Sequence, residues 1–136
     1  MGTAMFQSQN LLTTQEKYVQ AEIGSKVYQL EISNTAARRY LGLSYRKSLD
    51  KDKGMIFVFP KPGYHQFCMR EMNFALDFIW VNGDEVVDLT EDVPPPSVSA
   101  VGNFGPDKKV DKIIELNAGE IKESQVKIGD RIHWEL

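Results

Sequence analysis

A chain of 136 residues with 42% hydrophobic and 26% charged residues suits one globular domain that needs neither metal nor disulfide to hold together. A formal net charge of −3 argues against nucleic acid as a partner, because no basic face is large enough to release many counterions from a phosphate backbone. The single cysteine, Cys68, excludes an intramolecular disulfide, and no apolar run approaches the roughly 18–20 residues that span a bilayer.

Residues 1–17 are polar and aperiodic and read as a flexible tail or linker, which leaves 18–136 as a single domain. No charged segment followed by an apolar one opens the chain. Export or envelope association then depends on a signal or anchor in the native gene, with the cytoplasm as the other setting.

Val19, Ala21 and Ile23 alternate with polar residues, and Tyr28, Leu30 and Ile32 do the same beyond Gly24-Ser25, the pattern of a hairpin. Ser33-Asn34-Thr35 offers capping side chains to a short helix over Ala36–Leu41, and Gly42 stands where a left-handed residue ends it. Met55 to Phe59 is apolar without alternation, so it predicts a strand covered on both faces, ended by Pro60, Pro62 and Gly63. Tyr64–Met72 and Ala75–Val81 follow as the next strands. Asn82-Gly83 is the strongest turn signal in the chain and sends Glu85–Thr90 back as a partner strand. The prolines at 94–96 then force the chain out of the sheet. Val110–Leu116 reads as strand, Asn117-Ala118-Gly119-Glu120 as a capping box opening a helical turn through Gln125, and Arg131–Leu136 as the last strand. Short strands with frequent turns indicate a mainly β, single-domain antiparallel sandwich or jelly-roll-like barrel with one or two short helices.

Charges inside apolar runs mark the candidate sites, because burial makes them costly. Asp77 lies between Leu76 and Phe78 with apolar neighbours on both strand faces, so it is expected to be buried. Such a carboxylate is a structural ion pair, a backbone clamp that fixes a loop, or a ligand-binding or catalytic group. Arg46 is its first candidate partner, being long enough to reach across from an irregular segment. His65 and Cys68, three apart on an expected strand, would point to opposite faces, and with only His133 besides, no metal site or cofactor is expected. Asp84, Glu85, Asp88, Glu91 and Asp92 read as a solvated acidic face.

Three functions follow from these residues. The first is a non-enzymatic binding or accessory module of the cell envelope, expected to be a monomer, with Arg46, Tyr64, His65, Phe67, Met69, Arg70, Glu71, Asp77 and Trp80 as candidate ligand-binding residues; a concave pocket lined by Tyr64, Phe67, Met69 and Trp80 would favour it. The second is a small hydrolase or lyase using Asp77 with Glu71 or His65. The third is an interaction domain that presents the loop from Val93 to Pro106 to a protein partner.

Gly42-Leu43-x-x-Arg46-x-x-Leu49, Gly54-Met55-Ile56-Phe57-x-Phe59, Phe67-x-Met69 and Leu76-Asp77-x-Ile79 together resemble the family known as domain of unknown function 192. The likeness runs from about Val27 to Ile132 and includes Ile114-Glu115-Leu116-x-Ala118-Gly119 and Gly129-Asp130. It implies a compact jelly-roll-like β sandwich, in prokaryotes often behind a signal peptide or membrane anchor, and no established activity. Cys68 stands where the family usually has tryptophan, and Glu71-Met72 where it has Asn-Thr. The polar chemistry of that stretch is therefore altered here.

Overall fold

Alternation does build the first hairpin. The computed structural model describes residues 8–96 and 102–135. In it β1 (Tyr18–Ile23) and β2 (Lys26–Ser33) pair antiparallel, and Val19, Ala21, Ile23, Tyr28, Leu30 and Ile32 are all buried. The chain then makes α1 (Ala36–Leu41), whose first turn is capped by the Thr35 hydroxyl accepting from the Arg38 N–H. Gly42 closes it at φ 53°, and a Cβ there would come within 3.1 Å of the Phe57 ring. Glycine meets both demands.

This excursion carries the chain across to β3 (Lys53–Gly63), which lies parallel to β2 with Met55 opposite Glu31. The other ladders are antiparallel: β4 (Leu76–Asn82) with β5 (Glu85–Val93), β6 (Val110–Asn117) between β3 and β4, and β7 (His133–Glu135) on β1. All seven strands form one sheet in the order β5-β4-β6-β3-β2-β1-β7. The fold is mainly β in a single domain with two short helices, as expected, and its strands form one sheet with two ends. Near its ends, the segment before β7 reaches β5 through a Glu85–Arg131 bridge and the Val86 N–H on the Asp130 carbonyl at 2.9 Å.

Both faces of this sheet are covered. Ile56, Val58, Ile79, Val81, Ile114 and Leu116 join the hairpin residues and α2 (Glu120–Ser124) in a first core. Met55, Phe57, Leu76, Phe78, Trp80 and Ile113 look the other way into a second. Leu11, at the end of a 3-10 turn over Ser8–Leu11, is fully buried in the first core, and its carbonyl accepts from the Asn34 amide at 2.9 Å. Packing thus reaches into the segment that the sequence presents as a tail.

Three local expectations change. Tyr64–Met72 is not a strand: among the described residues it pairs only at Phe67, opposite Phe104, and is held down by Phe67, Met69 and Met72 packing on the second core. Pro60 and Pro62 do not end β3, which continues to Gly63 with an irregular register against β6 and with both prolines exposed. Nor does a capping box open α2, since its cap residue is Gly119 and no side chain of its own turn caps it.

Candidate ligand-binding site

The cap of α2 comes from a distance. Asp77 is fully buried on the first face, where its Oδ2 accepts the N–H groups of Gly119 at 3.0 Å and Ile121 at 2.9 Å. Its Oδ1 accepts from Asp92 at 2.8 Å, a residue held at φ 55° in β5. Three backbone donors hold this carboxylate, and the partner expected from the sequence is not among them. Arg46 instead pairs with Glu31 at 2.6 Å. Asp77 is therefore a backbone clamp, and it faces away from Glu71.

The second face carries a different carboxyl. Glu115 of β6 is 3% exposed and sits in a row across the sheet, with Met55 on one side and Phe78 on the other. Its Oε1 has no hydrogen-bond partner among the described residues. Burial among apolar neighbours raises its pKa to about 8, against a smaller opposing effect of the Arg46 charge. At neutral pH this side chain is a neutral acid.

Above it opens a cleft of about 700 Å³. One wall is α1 with the turn that follows it (Tyr40, Leu43 and Tyr45), and the opposite wall is the irregular segment with Phe67, Cys68 and Arg70. Phe57 and Phe59 lie at the back, and Glu115 lines the cleft too. The two walls are tied together by the Tyr45 N–H on the Glu71 carbonyl at 2.9 Å and the Asn73 amide on the Arg46 carbonyl at 2.9 Å. Tyr45 and Glu71 hold φ of 70° and 60°, a left-handed conformation that side-chain-bearing residues adopt at a cost of about 1–3 kcal/mol. Both line the cleft. A larger, more open hollow of about 860 Å³ beside α2 is lined by Ser25, Ser124, Lys127 and Asp130, and it holds no unpaired buried polar atom.

The candidates from the sequence divide accordingly. Phe67, Arg70 and Glu71 line the cleft. Arg46 lies beside it, close enough for its charge to act on Glu115. Met69 and Trp80 are core residues, the Trp80 indole donating to the Thr90 hydroxyl at 2.9 Å. Tyr64 is exposed, with the Lys109 ammonium 5.9 Å from its ring. His65 stacks on Phe59 at 3.7 Å, outside the cleft lining. Of Tyr64, Phe67, Met69 and Trp80, only Phe67 lines this cleft, because the segment coils and its side chains do not alternate as they would along a regular strand. The strand argument that separated His65 from Cys68 lapses for the same reason.

Of the proposed presenting loop, residues 97–101 lie outside the described residues, while Phe104 packs on Phe78 at 4.9 Å. Glu115 is the site residue that sequence reasoning missed. The signal was available: a carboxyl in the apolar run Val110–Leu116 is as anomalous as Asp77 between Leu76 and Phe78.

The fold and its two tied walls define a small, mainly β domain with a half-open aromatic cleft. By its sequence the chain belongs to the DUF192 family (Uncharacterized ACR), whose model matches residues 19–134. A UPF0127 protein of Pyrococcus furiosus is 31% identical over 112 residues, covering 78% of this chain and 86% of that protein. Among solved structures, a Sinorhizobium meliloti protein provisionally named a transcription regulator aligns with a TM-score of 0.74 at 25% identity, over 86% of this chain and 92% of the other. A Novosphingobium aromaticivorans protein of unknown function aligns at 0.73 and 26% identity, over 86% and 84%. No described helix is long and apolar enough to cross a membrane.

Proposed function

We propose that this chain is a small-molecule binding module and that the cleft over Glu115 is its site. One observation carries the reading: a buried carboxyl oxygen without a partner, lining a cleft with aromatic walls. An unmet buried polar atom costs about 1–3 kcal/mol, and apolar packing would fill the same space at no such penalty. A ligand that meets Glu115 offsets it. The left-handed residues on the rim add a second cost that the fold alone does not explain.

Binding is favoured over catalysis because, among the described residues, no nucleophile of the cleft is hydrogen-bonded to a base: Ser44 donates to the Arg70 carbonyl instead. Asp77 is occupied on the opposite face, and His65 packs outside the lining. The envelope setting belongs to the same reading and is supported by the family resemblance alone. Fractionation of cells expressing the native gene tests it, and a purely cytoplasmic protein would overturn it.

The binding reading is tested by backbone amide shifts during titration with a set of aromatic fragments. The expected result is shifts concentrated at Ser44–Arg46 and Phe67–Met72 that vanish in a folded Glu115→Leu variant. Shifts confined to the hollow beside Ser124 and Asp130 would overturn it.

A further inference from the structure

We propose that the cleft takes an organic cation: a protonated amine on an apolar body, with the ammonium against Glu115 and the body against Phe57 and Phe67. The inference rests on the cleft being the binding site and goes on to name what enters it.

The Glu115 Oε1 lacks a partner, and a charged donor satisfies it better than a neutral one, since charge-assisted hydrogen bonds are roughly twice as strong. The rest of the lining agrees. Tyr40, Tyr45, Phe57, Phe59 and Phe67 surround the space, and aromatic faces attract cations. One of these rings already shows the interaction, because the Arg39 guanidinium lies 5.3 Å from the centre of Phe59.

An anion meets the opposite conditions. The Arg46 charge is matched by Glu31 at 2.6 Å, and Arg39 donates to the Val58 carbonyl at 2.8 Å. Arg70 remains as a solvated cation on the rim, beside the like-exposed carboxylate of Glu71. The buried ionic contact left open among the described residues of the cleft is thus at the floor, and it is acidic.

Binding in this form requires Glu115 to ionise. The charge that acts on it is Arg46 from the turn after α1, itself paired with Glu31 of β2; Arg39, Arg70 and Glu71 stand around the cleft, and its strand neighbours Met55 and Phe78 are apolar. Tyr40, Tyr45 and Cys68 are the other titratable groups of the lining. An alkylammonium like that of lysine stays protonated to about pH 10. Affinity should therefore rise from pH 6 to pH 9 as the carboxyl ionises.

The experiment is a calorimetric and amide-shift titration of the whole chain with three matched probes: 2-phenylethylamine, 2-phenylethanol and phenylacetate. At pH 9 the amine is expected to bind at least about tenfold more tightly than the alcohol, a difference of about 1.4 kcal/mol. That advantage should shrink toward pH 6 and disappear in Glu115→Gln. Equal or tighter binding of the alcohol or the acetate, with shifts still mapped to the cleft, overturns the cation inference and leaves the site standing. No cleft shifts with any probe overturns the binding reading itself. The pH series on the unaltered chain decides the matter even if Glu115→Gln does not fold.

Discussion

The Oδ2 of Asp77 accepts the backbone N–H of Ile121 at 2.9 Å across 44 residues of sequence. A helix of five residues is too short to stand alone, and its first N–H groups have no partners inside it. Asp77 supplies both the acceptor and a favourable negative charge at the helix start. Through Asp92 the same carboxylate fixes the far end of β5. One side chain thereby joins β4, β5 and α2.

Replacing it should be costly. Asp77→Leu leaves one buried and two part-buried hydrogen bonds without their acceptor; a buried donor left unmet costs about 1–3 kcal/mol, so a loss on the order of 3 kcal/mol is expected in urea unfolding. Arg46→Met should add to that loss without coupling, because the two residues share no contact. A coupling energy above about 0.5 kcal/mol would contradict the geometry.

Glu115 gives stability a definite pH dependence. Its carboxyl titrates at about 8 in the folded chain, against 4.5 for the ordinary group. Between those values the folded state holds a proton that the unfolded state has released. Stability is therefore greatest below about pH 4.5 as far as this group is concerned, and falls as pH rises through 8. The loss should be on the order of 5 kcal/mol, since each of the three to four pH units between those values is worth about 1.4. Glu115→Gln should flatten this part of the profile, and an unchanged slope would show that the carboxyl is solvated.

The Arg46–Glu31 pair is partly exposed, at 40% and 23% of the two side chains. Its own coupling in a double-mutant cycle should not exceed about 1 kcal/mol. Arg46→Met should nevertheless move the Glu115 titration upward, because the guanidinium is the charge that opposes the burial effect. Carbon-detected titration of the Glu115 carboxyl reads this directly, and a downward shift would refute it.

Gly54 tests the packing between the two cores. A Cβ there would lie 2.4 Å from the Glu115 carbonyl and 2.7 Å from Leu116 Cδ2. Gly54→Ala should cost roughly 1–3 kcal/mol or more, since backbone cannot yield as a side chain can. A thermal midpoint equal to that of the unaltered chain would mean that β3 and β6 are less tightly packed than this.

Much of the fold could be read from the chain because burial and turn chemistry agree along it. The alternation in Val19–Ile23 and Tyr28–Ile32, the unbroken run at Met55–Phe59 and the Asn82-Gly83 turn each named an element that forms. Phe67 and Met69 misled for a physical reason: apolar residues spaced by two suit a strand, yet they equally pin a coil to a core. The partners of Asp77 were illegible because backbone N–H groups carry no residue identity. Glu115 was legible by the same rule that flagged Asp77, and its role emerges only when α1 and the irregular segment are seen to leave a gap above it.

The segment Gly129–Ile132 and β7 together hold both ends of the sheet, β7 on β1 and its approach on β5. During synthesis the strands that they join are made first and must wait. Until then β1 and β5 are open edges, with unpaired backbone that can template other chains. A chain stopped before Gly129 should therefore aggregate rather than merely lose stability, and light scattering after its release would distinguish the two outcomes. Order of manufacture, as much as final energy, then decides how safely this protein reaches its folded state.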